Sequence, residues 1–246
     1  MNLRADPSRG AKEPIPPMNK REIFVKAFKD SIPVLSGYLV LGMGYGIIMH
    51  TKGFGALWTG ACSLFVYAGA MQFAAVDMLA AGASLWTVAQ TTLFVNARHL
   101  FYGISMIDRY KNTGAAKPFL IFGLTDETYS LVSREETAEM PRSYFVWVTL
   151  LDYLYWFTGS ILGSLCGELI KVDTTGVDFA LTALFVSIVV EQWKNHKSRI
   201  PTLIGFAASI SMLLLVGPTY FMIPAMILIL IGLTVTRGVW ERKGQS

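Results

Sequence analysis

Four clusters of polar residues lie inside long apolar stretches of this 246-residue chain. The first begins at Gly69, within the run 67–73, and continues to Asp77. Its small residues would let a helix unwind and expose backbone amides and carbonyls, while Gln72 supplies both a hydrogen-bond donor and an acceptor. The alternative is a notch where helices pack closely, with Gln72 bonded to a neighbour.

The second cluster is NARH at positions 96–99, deep in the next apolar segment. On a helix Asn96 and His99 share a face. The Arg98 guanidinium could bind a carboxylate through two hydrogen bonds, or form a structural ion pair with Asp77 or Asp126. His99 titrates near neutral pH and is a candidate proton carrier. Snorkelling from a helix end is the alternative for both charged groups.

The third cluster, Thr125-Asp126-Glu127, interrupts a short apolar piece. Adjacent residues on a helix point in different directions, so one carboxylate could meet Arg98 while the other faces a pathway. In the competing interpretation Thr125 caps an interfacial helix and both acids lie at its positive end. The residue types alone do not separate these two accounts.

The fourth cluster is Glu191-Gln192. Gln192 stands at the position that corresponds to Gln72 when the two halves of the chain are aligned, although the nearby Lys194 favours a simple membrane boundary. Asp152 is an isolated acid in another apolar segment, with no partner assignable from the sequence. Charges at membrane depth cost at least about 2.5 kcal/mol, so each requires a partner or a water-filled cavity.

The composition places these clusters in a membrane protein. Charged residues make up 15% of the chain and hydrophobic residues 53%, with a mean hydropathy of +0.46, whereas soluble domains carry about 25% charged residues. This excludes an ordinary soluble enzyme, a disordered chain and a disulfide scaffold. Basic residues flank apolar segments instead of forming an aromatic-rich patch, which argues against nucleic acid. We expect an all-α, multi-pass helical bundle in the lipid bilayer.

Apolar segments of bilayer-spanning length, about 17–25 residues, predict six to seven spans plus broken or re-entrant segments. The long segment 56–81 has Gly69 near its middle, so we expect two half-helices that meet at a bend. The segment 118–132 is too short for a full span and is typical of a half-helix. The aromatic-rich run 144–157 is interpreted as lipid-facing. The other predicted segments are 32–49, 85–107, 144–166, 177–190, 200–216 and 220–236.

Basic residues near both ends predict a cytoplasmic amino terminus by the positive-inside rule. We divide the chain into regions as follows: a polar basic cytoplasmic tail at 1–30, a first membrane repeat at 31–133, a charged linker at 134–142, a second membrane repeat at 143–238 and a cytoplasmic tail at 239–246.

The division into two repeats rests on weak matches that occur in order. A shift of 120 positions sets LFV at 64–66 on LFV at 184–186. Glycines spaced by four residues let helix backbones approach closely, and they align between the halves after a small gap. Transporters are often built from such repeats, while chance similarity of two apolar halves is the alternative. The aligned glycines are Gly42 with Gly159 and Gly46 with Gly163.

The motifs AGAMQF, NARHLFYG and GLTDETY, in this order and spacing, resemble the AzlC family of branched-chain amino acid permeases over residues 28–238. The resemblance implies a bacterial inner-membrane protein that works with a small hydrophobic AzlD-like subunit to export valine, leucine, isoleucine and, as a further candidate, methionine. By position, the recurrent glutamine of the family is Gln72, its Asn-x-Arg is Asn96 and Arg98, and its Thr-Asp-Glu is 125–127. The resemblance transfers no role to any one of these residues.

The leading hypothesis is therefore secondary active export of a branched-chain amino acid. A zwitterion with an apolar side chain needs a donor for its carboxylate, which Arg98 or a helix start near Gly69 could provide. It needs an acceptor for its ammonium group, for which the acids at 126–127 are candidates. Phe65 and Phe73 are candidates for the apolar pocket.

No cofactor is expected, and no metal-ligand spacing is present in the sequence. Protons are an optional coupling ion, with His99, Asp77 and the acids at 126–127 as carriers. A passive channel, or an exporter of another small amphiphilic metabolite, is the alternative that the sequence does not separate from a carrier. An intramembrane enzyme is disfavoured because no HExxH or GxSxG motif occurs and no catalytic residue can be assigned.

Overall fold

The computed structural model describes residues 18–169, 199–218 and 220–244, together with the single positions 186, 190 and 193. These residues form helices and turns, and no strand occurs among them. The helices are α1 (Lys20–Thr51), α2 (Ala56–Phe65), α3 (Gly69–Ala80), α4 (Leu85–Ser105), α5 (Lys117–Phe122), α6 (Asp126–Val132), α7 (Arg142–Leu169), α8 (Ile200–Val216) and α9 (Met222–Gly244), with 3₁₀ turns at Gly114–Ala116 and Glu135–Thr137.

Helices α1 and α7 form the centre of the molecule. They run parallel, because Phe24 packs on Trp147 near their starts and Gly167 lies against His50 near their ends. They are the two described helices that are long and apolar enough to cross a membrane. Helices α2, α3 and α6 pack around this pair, while α8 packs on α9 and α9 on α4.

Glycine allows the backbones of α1 and α7 to touch. A Cβ atom built on Gly42 would lie 3.0 Å from the carbonyl oxygen of Trp156, and one built on Gly159 would lie 3.0 Å from that of Leu39. Both distances are shorter than nearly all real Cβ contacts, so a side chain at either position would push the helices apart. The close approach predicted from the glycine spacing is confirmed.

The next glycines along the two helices are packed even more tightly, and the contacts are reciprocal. A Cβ on Gly46 would collide with the carbonyl oxygen of Ser160, and a Cβ on Gly163 would collide with that of Met43. The sequence separation between Gly42 and Gly159 also relates the partners in these contacts. Each contact therefore occurs twice, with the two helices exchanged. Each helix therefore presents the same backbone surface to the other.

The bend expected within 56–81 is present between α2 and α3. Tyr67 in this break adopts a left-handed backbone conformation with φ of +43°, which costs on the order of 1 kcal/mol or more for a residue with a Cβ atom. Its buried ring lies 4.8 Å from that of Tyr153 and 6.0 Å from that of Phe122. This aromatic packing holds the strained backbone in place.

A second break, at residues 123–125, separates α5 from α6. It confirms that the segment 118–132 is not a single span. The apolar segments 85–107 and 200–216 correspond to α4 and α8, and α9 covers all but the first two residues of 220–236. Most of the predicted segment 177–190 lies outside the described residues.

Two expectations for α1 and α7 need correction. Helix α1 begins at Lys20, inside the region predicted as a tail, because Asn19 and Glu22 form a capping box there. The aromatic-rich run 144–157 was wrongly interpreted as lipid-facing, since Tyr144 and Trp156 are buried against the rest of the molecule. Aromatic residues are frequent both in cores and at membrane interfaces, so composition did not discriminate between them.

Candidate functional site

A small cavity lies where the two helix breaks meet the centre of α1 and α7. Its volume is about 40 Å³. Seven of the residues singled out in the sequence line it, and they come from the start of α3, from α4 and from the start of α6. The lining residues are Tyr38, Leu41, Tyr67, Ala68, Gly69, Ala70, Asn96, Arg98, His99, Thr125, Asp126, Glu127 and Trp156.

Arg98 and Asp126 form an ion pair at the edge of this cavity. Arg98 Nη2 lies 2.9 Å from Asp126 Oδ2, and the Tyr102 hydroxyl donates a 2.6 Å hydrogen bond to Asp126 Oδ1. Both carboxylate oxygens therefore have a donor. Of the two acids considered as partners for Arg98, Asp126 is the one it meets.

Glu127 points away from its neighbour Asp126, as expected for adjacent helical residues. The Tyr38 hydroxyl, from α1, donates a 2.6 Å hydrogen bond to Glu127 Oε2. The same hydroxyl lies 2.7 Å from Thr125 Oγ1. One acid is thus paired with a cation, whereas the other is held by a phenol.

Thr125 also caps α6. Its Oγ1 accepts a 3.3 Å hydrogen bond from the backbone N–H of Thr128, and both acids lie in the first turn. Negative charge is favourable at that end of a helix. Capping of α6 by Thr125 and the position of both acids at the cavity therefore occur together in this structure.

Gly69 and His99 both line the cavity. A Cβ on Gly69 would lie 3.2 Å from the Trp156 ring, so glycine lets the indole pack against the start of α3. His99 Nδ1 lies 3.1 Å from the carbonyl oxygen of Asn96. Because a carbonyl only accepts hydrogen bonds, Nδ1 carries the hydrogen in this contact.

Gln72 lies beside the cavity and braces the break between α2 and α3. It is 2% exposed, and its Oε1 accepts hydrogen bonds from Ala68 N at 3.1 Å and from Trp156 Nε1 at 3.0 Å. Its Nε2 donates a 3.3 Å bond to Ser63 Oγ. The amide thus satisfies a backbone group freed by the break, which is the structural alternative raised for this residue.

Asp77 and Gln192 are not among the cavity residues that the structure describes. The Asp77 side chain is 77% exposed and forms a 2.7 Å ion pair with Lys52. It lies near the far end of α3, away from the break. Gln192 lies outside the described residues.

A further buried acid, Asp152 of α7, lies behind the cavity wall. It is 0% exposed, and Thr128 Oγ1 donates a 2.8 Å hydrogen bond to its Oδ2. Its Oδ1 has no hydrogen-bond partner in the described part of the chain. The isolated acid was visible in the sequence, but its link to Thr128 and Tyr38 was not, since hydroxyl residues are common in apolar helices.

The volume of the cavity limits what this conformation can hold. A buried water needs about 10–15 Å³, whereas an engineered cavity that accepts benzene measures about 150 Å³. The present cavity, about 40 Å³, suits a few waters and not a branched aliphatic side chain. Among residues 18–169, 199–218 and 220–244, no group of three His, Cys, Asp or Glu side chains is arranged to hold a metal ion.

Comparison with known proteins places this cavity within a recognised family region. The model of the AzlC protein family matches residues 33–170, which include every lining residue. The chain is 42% identical over 235 residues to the branched-chain amino acid transport protein AzlC of Bacillus subtilis, covering 93% of this chain and 92% of that protein.

Two other relatives are named only as membrane proteins. An uncharacterized membrane protein of Helicobacter pylori is 38% identical over 220 residues, covering 87% of this chain and 96% of that protein. The inner membrane protein YgaZ of Escherichia coli is 30% identical over 218 residues, covering 83% and 85%. No solved structure matches the chain.

Proposed function

The chain belongs to the AzlC family of transport proteins, which are not enzymes, and from this premise we propose that it exports branched-chain amino acids. The substrates are valine, leucine and isoleucine, with methionine as a further candidate. The membrane is the bacterial inner membrane, with the amino terminus in the cytoplasm. The named function of the Bacillus subtilis relative and the charged cavity support this proposal.

The observation that carries the proposal is the pairing of Arg98 with Asp126 beside Glu127. An amino acid brings one carboxylate and one ammonium group. Its carboxylate replaces Asp126 on Arg98, and its ammonium group pairs with the released Asp126 or with Glu127. Every charge keeps a partner during this exchange, which matters because an unpaired charge at membrane depth is costly.

The apolar part of the substrate lies against Leu41 and Trp156, which line the cavity. Leu41 and Trp156 replace Phe65 and Phe73, which were the candidates from the sequence. Phe65 is 79% exposed on the outside of the molecule, and Phe73 packs its ring on Tyr45 and Trp156 without lining the cavity. Because the cavity is too small for a leucine side chain, binding requires the helix breaks to move apart.

We also propose that the two halves are structural copies, within a fold of six to seven spans. The reciprocal glycine contacts between α1 and α7 support this, because a two-fold axis makes each residue pair occur twice with the partners exchanged. Since the two helices run parallel, this axis follows the membrane normal. Such repeats are parallel and not inverted.

The proposal includes a small AzlD-like membrane subunit, no cofactor and protons as the coupling ion. Large apolar side chains on α4 and α8 face outward, as lipid or a membrane subunit requires. Leu85 is 88% exposed and Leu214 is 80% exposed. The small subunit follows from the family resemblance, whereas the proton follows from the cluster of acids at the cavity.

Leucine counterflow in vesicles tests the transport proposal. Vesicles containing the chain and the small subunit should accumulate labelled leucine transiently when preloaded with unlabelled leucine, and a passive channel would only equilibrate the label. Asp126→Asn should abolish this exchange at unchanged membrane expression, because Arg98 loses its partner and the substrate its acceptor. Asp77→Asn is the matched control and should exchange normally, since Asp77 lies on the surface.

Retained exchange by Asp126→Asn would remove this acid from the binding site. Absence of counterflow in the unaltered protein, with and without the small subunit, would contradict amino acid transport itself.

A further inference from the structure

We propose that Asp152 is an internal proton-binding site that exchanges its proton with Glu127 through a chain of three hydroxyl groups. This inference rests on the proposed transport function and identifies how a proton is coupled to it. Asp152 belongs to none of the three motifs that suggested the function, and it does not line the cavity. The geometry that connects it to the cavity involves α1, α6 and α7.

The connection is continuous from one carboxyl group to the other. The Tyr38 hydroxyl lies 2.6 Å from Glu127 Oε2 and 2.7 Å from Thr125 Oγ1. Thr125 Oγ1 lies 3.2 Å from Thr128 Oγ1. Thr128 Oγ1 in turn lies 2.8 Å from Asp152 Oδ2. Each step is within hydrogen-bond distance.

The number of available hydrogens decides which charge state the three hydroxyl groups favour. Each hydroxyl has a single hydrogen to donate. The Tyr38 hydroxyl donates to Glu127 when Glu127 is a carboxylate, and this bond reverses when Glu127 carries the proton. Glu127 then donates to Tyr38, Tyr38 donates to Thr125, Thr125 donates to Thr128, and Thr128 donates to Asp152. Every contact then contains one hydrogen, and all donors point toward Asp152.

Proton transfer along these three hydroxyl groups needs no other reactant. Glu127 gives its proton to Tyr38, while the Tyr38, Thr125 and Thr128 hydroxyls each pass their hydrogen to the next oxygen. Asp152 becomes protonated, Glu127 becomes a carboxylate, and each hydroxyl ends with one hydrogen that points back toward Glu127. The net result is one proton moved between two carboxyl groups.

The surroundings of Asp152 fit a proton site. The side chain is fully buried, and one of its oxygens lacks a hydrogen-bond partner in the described part of the chain. A buried polar atom without a partner calls for a reason, and a carboxyl group that changes charge during each transport cycle provides one. Thr128, which connects it to the cavity, is also fully buried.

The other titratable groups near this path belong to five elements. Among the described titratable groups around Asp152, Glu127 is the only other carboxyl group, and the rest are tyrosine hydroxyls. The neighbours of Asp152 are Glu127 on α6, Tyr38 on α1, Tyr67 in the α2–α3 break, and Tyr144 and Tyr155 on α7, while Arg98 and Asp126 act on Glu127.

This arrangement links substrate binding to proton movement. When the ammonium group of the substrate approaches Glu127, the carboxylate form of Glu127 pairs with it better than the neutral form does. The proton on Glu127 is then displaced along the hydroxyl chain to Asp152. After the transfer Asp152 releases its proton to the opposite side of the membrane, and Glu127 takes up a new one through the cavity once the substrate has left, so one proton crosses for each substrate carried.

The test removes one hydroxyl and compares two transport modes. Thr128→Val breaks the chain with little change in volume, whereas Thr128→Ser keeps the hydroxyl. Leucine counterflow needs no net proton movement, but leucine flux driven by a pH gradient does. Thr128→Val should retain counterflow, because Glu127 still exchanges its proton with water in the cavity. It should lose gradient-driven flux by about 100-fold, a typical effect of removing a proton-transfer group. A pH-sensitive dye inside the vesicles should show the same loss of proton movement.

Thr149→Val is the matched control. Thr149 is fully buried on the same helix as Asp152, and its hydroxyl has no hydrogen-bond partner in the described part of the chain. The same substitution there should leave both transport modes unchanged. Thr128→Ser should restore gradient-driven flux close to that of the unaltered protein.

Asp152→Asn provides a second variant in case Thr128→Val does not fold. The asparagine still accepts a hydrogen bond from Thr128 but does not take up a proton, so we expect the same separation of the two modes. Gradient-driven flux and dye response equal to those of the unaltered protein, in either variant, would overturn the relay. Counterflow would be intact in that case, so the transport proposal would stand independently.

Discussion

At the scale of single residues, most of the described charged groups at the site have an ion-pair or hydrogen-bond partner. Arg98 holds Asp126, Tyr102 supports the same carboxylate, and Tyr38 holds Glu127. This pairing explains how charged groups are kept among apolar helices. Under the proposed function a substrate displaces an internal partner, so that recognition is an exchange of ion pairs.

Substitution of Gln72 tests how much its buried hydrogen bonds stabilise the protein. Gln72→Leu should lower the free energy of unfolding by about 1–3 kcal/mol, because Ala68 N and Trp156 Nε1 lose their buried acceptor. Gln72→Glu keeps an acceptor oxygen and is the comparison variant. Thermal melting of the purified protein in detergent measures the difference. Equal melting of Gln72→Leu and the unaltered protein would show that the amide does not brace the break.

At the scale of helices, the site depends on two interruptions and one close crossing. The break before Gly69 exposes the start of α3 to the cavity, and the break before Asp126 places two acids at the start of α6. The parallel crossing of α1 and α7 places Tyr38 next to α6 and brings Trp156 into the cavity wall. Without these three features the motif residues would lie on separate helices with no shared space.

Two glycines of α1 provide a matched test of the crossing. Gly46→Ala should destabilise the protein, because its Cβ would collide with the backbone of α7 at Ser160. Gly37→Ala should instead stabilise it by up to about 1 kcal/mol, since no atom lies within 4 Å of its added Cβ and alanine is the better helix former. The melting temperature in detergent measures both changes. Similar effects of the two variants would contradict a crossing at Gly46.

At the scale of the whole molecule, the cavity is too small for the proposed substrate and has to enlarge for that substrate to bind. Its volume of about 40 Å³ is below what a leucine side chain needs. The helix breaks are the elements that can move, because their ends are held by side chains and not by a continuous helical backbone. The outward apolar faces of α4 and α8 leave room for lipid and for the proposed small subunit.

Ligand binding should therefore stabilise the whole fold in a selective way. Leucine at 100 times its dissociation constant should add about 2.7 kcal/mol to the free energy of unfolding, seen as a higher melting temperature. Glutamate and lysine should have no effect, because their charged side chains do not suit a wall of Leu41 and Trp156. Equal stabilisation by all three amino acids would contradict a site selective for apolar side chains.

Much of this architecture could be predicted from the sequence because the signals are local. Apolar length and a low charge content indicate membrane helices, and the small residues near Gly69 indicated the first break. The three motifs were singled out because charges are rare within apolar segments, so any that remain require an explanation. The glycine spacing likewise indicated a close helix contact, although not which helices would meet.

Only the tertiary structure decided which of these residues share a site. It grouped Arg98 with Asp126, left Asp77 on the surface with Lys52, and gave Gln72 a bracing position. It also connected Asp152 to Glu127 through hydroxyl groups that have no distinctive spacing in the chain. The physical reason is that ion pairs and hydrogen bonds depend on distances between helices. Those distances are set by how α1, α6 and α7 pack, whereas composition and periodicity report only on each helix by itself.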